Sequence, residues 1–249
     1  MIDTKEWAII NDIILLIHGK KNLTDMRKAF LEAVKKLILY DKAMFYMIHD
    51  DGVMPVLDDP VFVNVDDEFA RAYENTVAND QYGRVAMNSR KSFIFRDSDF
   101  MPERVRVNTD IYLSFLKPYD VPFGSSIIIA DDDRLIAEVT FFRQGKRNDF
   151  TDKDIDILKI LMSHLELRLL NDTKADTRTS EERERKLAGL GLTRRETEIV
   201  RHVVENLSTA EISNLLNISP ATTKRHLYNI FEKLGINSRL QLVGIYNKL

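Results

Sequence analysis

The sequence predicts an α+β protein in two parts. Residues 1–170 are expected to form an antiparallel sheet with flanking helices, and residues 189–249 an all-α module of four short helices. Three observations carry this prediction. The chain opens with helical periodicity, residues 124–142 have the pattern of a β-hairpin, and closely spaced helix start and stop signals fill the carboxy-terminal part.

Two amphipathic helices open the chain. Isoleucines three and four apart predict a helix over residues 5–18, and apolar residues at the same spacing predict another over residues 23–38. Alternation of period two then predicts a strand over residues 43–48. The dipeptide Asp51-Gly52 favours a hairpin turn into a second strand.

The segments that follow have weaker patterns. The second strand is expected over residues 53–57, where Pro55 indicates an edge position because proline cannot donate to a strand ladder. Helices are predicted over residues 67–78 and 105–116, with a short strand over residues 92–95 between them.

A capping signal follows the β-hairpin. Thr151 and Asp154 resemble a capping box that opens a helix with an apolar stripe. The stripe comprises Ile155, Leu158, Leu161, Met162, Leu165 and Leu169. Two interpretations are open. Either the whole stripe packs on the sheet, or part of it, including Leu165, is exposed and pairs with a second copy of the chain. Residues 171–188 carry ten charged side chains, which predicts a solvated, partly helical linker.

Composition excludes several classes of protein. With 249 residues, 44% of them hydrophobic, the chain can build a packed core. The absence of cysteine excludes disulfides, thiolate zinc sites and a cysteine nucleophile, and it fits the reducing cytoplasm, where we expect the protein. The longest apolar run has five residues and the first residues are charged, so neither a membrane span nor a signal peptide is predicted.

The net charge of -3 hides an asymmetry between the two parts of the chain. Residues 189–249 carry eight Lys and Arg against five Asp and Glu, whereas residues 1–188 carry 28 against 34. A small basic module therefore follows a larger acidic one. A basic part can indicate nucleic-acid binding, but a difference of this size over 61 residues also arises by chance, so the spacing of the residues has to decide.

The carboxy-terminal module has a start signal for each of its four helices. Thr193 with Glu196 forms a capping box, and Ser208 or Thr209 can cap the second helix, which Asn217 can end in the left-handed conformation.

The third helix begins at Ser219-Pro220, because proline is preorganised for the first helical position, and Gly235 ends it. Asn237 or Ser238 can cap the fourth. A tight turn between the second and third helices predicts a helix-turn-helix arrangement.

At 100° per residue, the third helix has one apolar and one outward face. The inward set is Thr223, Leu227, Ile230 and Leu234, and Lys224 lies on a flank. The outward set is Ala221, Arg225, Tyr228, Asn229 and Glu232. A helix with such a face can enter the major groove of DNA.

The module resembles a known family. The resemblance rests on residues 192–199, 208–212 and 219–235, continued by Ser238-Arg239, and it identifies residues 187–249 as similar to the LuxR-type helix-turn-helix family. Three positions depart from the family pattern. Asn206 replaces a usual Gly and is expected to accept positive φ, whereas Ser213 and Thr223 replace Ala and Val, which predicts slightly weaker core packing.

The resemblance implies a sequence-specific transcriptional regulator that binds double-stranded DNA as a homodimer. Lys224, Arg225 and Tyr228 are expected to face base edges. The residues expected to position the module on phosphates are Thr209, Ser219, Thr222, His226, Asn229, Lys233 and Arg239.

The amino-terminal part has a less specific resemblance. Its leading helices, its hairpin and residues 150–154 look like a GAF-type sensor domain covering residues 1–170. A GAF or PAS-like fold implies a pocket between sheet and helices for a small molecule, or a surface for a partner. The aromatic residues are expected in the core instead of contacting ligand: Tyr46, Tyr82, Tyr112, Phe115 and Phe141.

Enzymatic activity is not expected. No Gly-rich phosphate loop or nucleophile elbow occurs, and His18, His49 and His164 lie far apart in sequence without metal-ligand spacing. Residues 131–133 are three aspartates, which are more simply a solvated turn than a cation site. We therefore predict no catalytic residue, no metal and no cofactor.

Three alternatives stay open. A phosphoacceptor receiver domain would use Asp50-Asp51 as its acidic pair, although receivers have a parallel sheet. A sensor of acyl-homoserine lactones is disfavoured because the single tryptophan, Trp7, lies outside the expected pocket. The third alternative is an interaction module that does not bind DNA.

Overall fold

The structure is a computed structural model that describes residues 1–49, 55–79, 91–131 and 134–249, apart from the side chains of residues 78, 79 and 175–181. The chain divides into two compact units, Met1–Asn171 and Asp172–Leu249. Within the described residues, no helix is long and apolar enough to cross a membrane. Several predicted features lie outside the described residues: the Asp51-Gly52 turn, the Asp50-Asp51 pair, Tyr82, Asp132 and Asp133.

A five-stranded sheet forms the centre of the amino-terminal unit. Its strands are β1 Lys42–His49, β2 Val56–Val63, β3 Phe93–Arg96, β4 Phe123–Asp131 and β5 Arg134–Arg143, in the order β2-β1-β5-β4-β3. Every described pair of strands is antiparallel, which confirms the predicted sheet and rules out the parallel sheet of a receiver domain for this unit. The second strand lies at an edge as predicted and spans Val56–Val63, beyond the predicted end at residue 57; residues 53 and 54 of the predicted range lie outside the described residues.

Helices pack on both faces of this sheet. They are α1 Thr4–Gly19, α2 Leu23–Val34, α3 Asp67–Asn79, α4 Glu103–Arg106 and α5 Asp152–Gly189, with a π-helical segment at Tyr112–Leu116. The first face is covered by α1, α2 and the amino-terminal half of α5, whose apolar residues form one continuous core with the strands. The second face is covered by α3 and the π-helical segment. These layers confirm the α+β class.

The helical stretch predicted over residues 105–116 is interrupted: it contains the end of α4 and, after a break, the π-helical segment. Helix α4 stops at Arg106, whose buried guanidinium donates to Glu103 Oε2 and to the carbonyl of Pro122, both at 2.7 Å. The Thr109 hydroxyl donates to the Arg106 carbonyl at 2.7 Å, which competes with the helical ladder. Side-chain bonds of this kind break the helix before the π-helical segment begins.

The apolar stripe on α5 is covered within the amino-terminal unit. Ile155, Leu158 and Leu165 lie in the same core as Ile13 of α1 and Phe30 of α2, and Leu165 is 0% exposed. Of the two alternatives, the one in which Leu165 is exposed and pairs with a second copy is therefore wrong, and the one in which the stripe covers the sheet agrees with the structure. Amphipathic spacing shows that a stripe is buried, but it does not show which partner buries it.

The segment predicted to be a linker is helical. Residues 171–188 belong to α5, which continues without interruption to Gly189. Leu187, near its end, is buried in the core of the carboxy-terminal unit. The assignment of residues 1–170, 171–188 and 189–249 to a sensor, a linker and a DNA-binding domain stays a prediction.

Four further helices form the carboxy-terminal unit, as predicted. They are α6 Arg194–Val204, α7 Thr209–Leu215, α8 Pro220–Leu234 and α9 Arg239–Tyr246. Their shared core contains Leu192, Ile199, Val200, Val203, Ile212, Leu227, Ile230 and Leu242. Side chains cap all four amino termini as the sequence indicated, with the alternatives resolved to Ser208 for α7 and Ser238 for α9.

Candidate nucleic-acid interface

Helices α7 and α8 form the predicted helix-turn-helix. The chain leaves α7 through Asn217, whose φ of 51° is left-handed, and re-enters helix at Ser219, whose hydroxyl accepts from Thr222 N at 3.1 Å. Pro220 occupies the first turn of α8, and Gly235 ends it with φ of 63°. Asn206 likewise has φ of 63°, which confirms that asparagine tolerates the position where the family has glycine.

The outer face of α8 carries two cationic side chains and one aromatic side chain. Lys224 and Arg225 are exposed, and Tyr228 is 64% exposed. On the opposite face Thr223, Leu227 and Ile230 are buried. Among the side chains that the structure describes, those of Lys224, Arg225 and Tyr228 have no hydrogen-bond or ion-pair partner. Their donors are available to another molecule.

His226 and Asn229 lie at the margins of this outer face. Both are half-buried, and in the described part of the chain neither side chain makes a hydrogen bond. The structure therefore brings five of the ten predicted contact residues together with unengaged polar groups: Lys224, Arg225, His226, Tyr228 and Asn229. We call these five residues the α8 face.

Four of the other five predicted residues bond to one another within the unit. The Ser219 and Thr222 hydroxyls lie 2.8 Å apart at the start of α8. Arg239 Nη2 donates to Thr209 Oγ1 at 3.0 Å, and Arg239 Nη1 donates to the Leu207 carbonyl at 2.6 Å. Arg239 thus ties α9 to the start of α7. The predicted phosphate contacts of these residues stay predictions.

The fifth, Lys233, forms an ion pair with a buried carboxylate. Its Nζ lies 2.6 Å from Glu196 Oε2, and Glu196 is itself the capping-box residue of α6. Burial raises the pKa of Glu196, but hydrogen bonds from Lys233 and from Thr193 outweigh burial and leave the pKa below its usual value. Lys233 therefore links the end of α8 to α6.

The two polar departures from the family pattern contact each other. Ser213 Oγ and Thr223 Oγ1 are both buried and lie 2.8 Å apart, which joins α7 to α8. Ser213 Oγ also donates to the Thr209 carbonyl at 2.6 Å. The two buried hydroxyls thus satisfy one another. Slightly weaker core packing at these two positions stays a prediction.

Two histidines that are distant in sequence meet in the amino-terminal unit. His18 Nε2 of α1 lies 3.1 Å from His164 Nδ1 of α5, and burial together with His18 lowers the pKa of His164. Among the described residues, no group of three or more His, Asp or Glu side chains is placed to hold a metal ion.

Sequence reasoning missed a buried carboxylate in the amino-terminal unit. Glu138 of β5 is 4% exposed, and its Oε1 accepts from the Tyr73 hydroxyl of α3 at 2.8 Å. Thr140 and Ser126 extend this network, with their hydroxyls 2.9 Å apart. In the sequence Glu138 only shares strand parity with Thr140 and Phe142; that the strand is buried almost throughout is seen only in the structure.

The carboxy-terminal unit matches a known family. Residues 190–246 match the sequence model described as bacterial regulatory proteins, luxR family. This match confirms the resemblance drawn from the helix-turn-helix signals, and the carboxy-terminal unit carries a LuxR-type helix-turn-helix domain.

Relatives and similar structures extend over different parts of the chain. The "Probable transcriptional regulator ycf29" of Guillardia theta is 29% identical over 117 residues, which cover 47% of this chain and 50% of that protein. The chain thus matches half the length of this relative. Escherichia coli SdiA aligns with a TM-score of 0.48 and 18% identity over 98% of this chain and 96% of that chain. The GAF domain of a Bacillus halodurans sensor histidine kinase aligns with a TM-score of 0.42 and 14% identity, over 63% of this chain and 99% of that chain.

Proposed function

We propose that this chain, whose residues 190–246 form a LuxR-type helix-turn-helix domain, is a transcriptional regulator that binds specific sequences of double-stranded DNA. The single observation that carries the proposal is the α8 face. On the second helix of a helix-turn-helix, in the basic part of the chain, two cationic side chains and an exposed tyrosine make no hydrogen bond or ion pair with any described residue. Such a helix fits the major groove, where side chains can reach base edges.

The ten predicted residues divide into three groups in this proposal. Lys224, Arg225 and Tyr228 face base edges, and His226 and Asn229 reach the flanking backbone. Lys233 holds α8 against α6, Arg239 with Thr209 joins α9 to α7, and Ser219 with Thr222 caps α8. All five contact phosphate through their remaining polar groups. The amino terminus of α8 adds partial positive charge toward phosphate.

The amino-terminal unit is proposed to be the sensor. Its antiparallel sheet with helices on both faces fits the architecture implied by the GAF-type resemblance, and its input is a small molecule or a partner. We propose further that the protein acts in the cytoplasm, has no enzymatic activity, and binds DNA as a homodimer, since one short half-site supports limited specificity.

Selection of genomic DNA fragments by the purified full-length chain tests the proposal. The wild type is expected to enrich one sequence motif, and Arg225→Ala to enrich it weakly or with one base position relaxed. Lys28→Ala, which removes an exposed cation of α2, is the charge-matched control and is expected to behave as the wild type. Failure of the wild type to enrich any sequence would support the alternative of an interaction module that does not bind DNA.

A further inference from the structure

An aromatic layer covers the second face of the amino-terminal sheet. We use this name for seven rings: Tyr46, Phe62, Phe69, Tyr73, Phe115, Tyr119 and Phe142. Strands β1, β2 and β5 contribute three of them, α3 contributes two, and the π-helical segment with the residues after it contributes Phe115 and Tyr119. Neighbouring ring centroids lie 5.0 to 6.3 Å apart. Their π faces can attract a cation.

Glu138 lies beneath this layer with one carboxylate oxygen unused. In the sheet it pairs with Tyr46 of β1 and with Ile128 of β4. Its Oε1 accepts from Tyr73 at 2.8 Å and from Thr140 at 3.4 Å, whereas the buried Oε2 has no hydrogen-bond partner among the described residues. A buried carboxylate oxygen without a donor is energetically costly, so this atom is a vacant acceptor.

The charged groups around Glu138 make the site acidic. Glu74 of α3 accepts from the Tyr46 hydroxyl at 2.9 Å, and the negative charge of Asp97 adds to burial in raising the pKa of Glu138. Lys42 Nζ lies 5.0 Å from the Phe69 ring centroid, but it donates to the Asn64 carbonyl. No cationic side chain of the described residues forms an ion pair with Glu138.

We propose that Glu138 and the aromatic layer bind a small organic cation, a molecule with a protonated amine on an apolar or aromatic body. The ammonium group would donate to Glu138 Oε2 and lie against the faces of the surrounding rings, which together satisfy both its charge and its hydrogen-bonding needs. A neutral ligand of the same shape would leave the negative charge unbalanced. The assignment of this amine as the regulatory signal rests on the proposed function.

The acidity of Glu138 gives the site a signature. Burial, opposed by the hydrogen bonds from Tyr73 and Thr140 and reinforced by Asp97, raises the pKa of Glu138 to about 7. Tyr73 stays neutral because burial and Glu138 raise its pKa well above the usual value. Since the amine binds the carboxylate form, its affinity should rise about tenfold between pH 6 and pH 8. A neutral analogue should show no such rise.

Calorimetric titration of the full-length chain with phenethylamine and with its neutral isostere 2-phenylethanol tests the proposal. At pH 8 the wild type is expected to bind the amine at least tenfold more tightly than the alcohol. Glu138→Gln is expected to abolish that preference, and Glu32→Gln, on the exposed surface of α2, to keep it. Thermal unfolding of each variant verifies folding.

Two results would overturn the inference: a wild type without preference for the amine, or a Glu138→Gln variant that is folded and keeps the preference. Binding of the same proteins to a selected DNA duplex is measured in parallel. Loss of amine preference with intact DNA binding refutes the ligand class alone, whereas a wild type that binds no specific DNA refutes the proposed function independently.

Discussion

The hydrogen bond between the Ser213 and Thr223 hydroxyls joins α7 to α8. Removing either hydroxyl should therefore lower the free energy of unfolding of this unit, but Ser213→Ala and Thr223→Val should lower it by different amounts. Because Ser213 donates to the Thr209 carbonyl at 2.6 Å, its oxygen is left as the acceptor for the Thr223 proton. Ser213→Ala therefore leaves the Thr223 hydroxyl, which is fully buried, with only the Ser219 carbonyl at 3.4 Å. An unsatisfied buried hydroxyl costs about 1 to 3 kcal/mol.

Thr223→Val removes the donor and leaves Ser213 bonded to Thr209. The cost is the net value of one hydrogen bond, about 0.5 to 1.5 kcal/mol, offset by burial of a methyl group in place of a hydroxyl. In the double variant no hydroxyl is orphaned. Its free energy of unfolding is expected to be nearly that of Thr223→Val alone, so the costs of Ser213→Ala and Thr223→Val are not additive.

Native-state hydrogen exchange of the full-length chain measures these free energies. Peptides from α7 and α8 report on opening of the carboxy-terminal unit, and each 1.4 kcal/mol lowers protection about tenfold. Ser114→Ala removes a hydroxyl bonded to the Asp110 carbonyl in the amino-terminal unit and should leave these peptides unchanged. Additive costs of Ser213→Ala and Thr223→Val would refute the coupling.

Three further outcomes are expected. The pKa of Glu138 is about 7 in the folded chain and 4.5 in the unfolded chain. The free energy of unfolding of the amino-terminal unit should therefore fall by about 3 kcal/mol as pH rises from 4.5 through 7. Glu138→Gln should remove this fall in thermal melts followed by Trp7 fluorescence. Leu165→Glu should unfold the unit in the same assay, whereas Leu167→Glu, at a position 52% exposed, should not. Gly235→Ala should lower protection of α8 by about 1 kcal/mol, because φ there is left-handed. The first prediction is contradicted if Glu138→Gln has the pH profile of the wild type, the second if Leu165→Glu stays folded, and the third if Gly235→Ala leaves the protection of α8 unchanged.

The carboxy-terminal helices were predictable because their signals are local. Thr193 with Glu196, Ser219-Pro220 and Gly235 each act within one helical turn, so the sequence around each position determines the start or the end. The partners of Lys233 and Arg239 were not predictable. They depend on the packing of α8 against α6 and of α9 against the start of α7, which brings together residues more than 30 positions apart.

In the amino-terminal unit, fewer features could be predicted from local sequence, because more of them depend on residues that are distant along the chain. Hairpin β4–β5 follows from alternation and a polar turn, whereas the break after Arg106 depends on a guanidinium that reaches Pro122. The α5 stripe was recognised, but its burial by α1 and α2 depends on contacts over more than a hundred residues. Glu138 was missed because a carboxylate on a buried strand becomes informative only when its neighbours are known.

The central claim is that the α8 face binds specific base pairs. Fluorescence anisotropy of the full-length chain on its selected duplex and on a scrambled duplex, at fixed salt concentration, tests it directly. The wild type should bind the selected duplex at least about a thousandfold more tightly than the scrambled one. Arg225→Ala should lose 1 to 3 kcal/mol, about fivefold to 150-fold, on the selected duplex only. Equal affinity of the wild type for both duplexes, or equal weakening of both by Arg225→Ala, would contradict the claim.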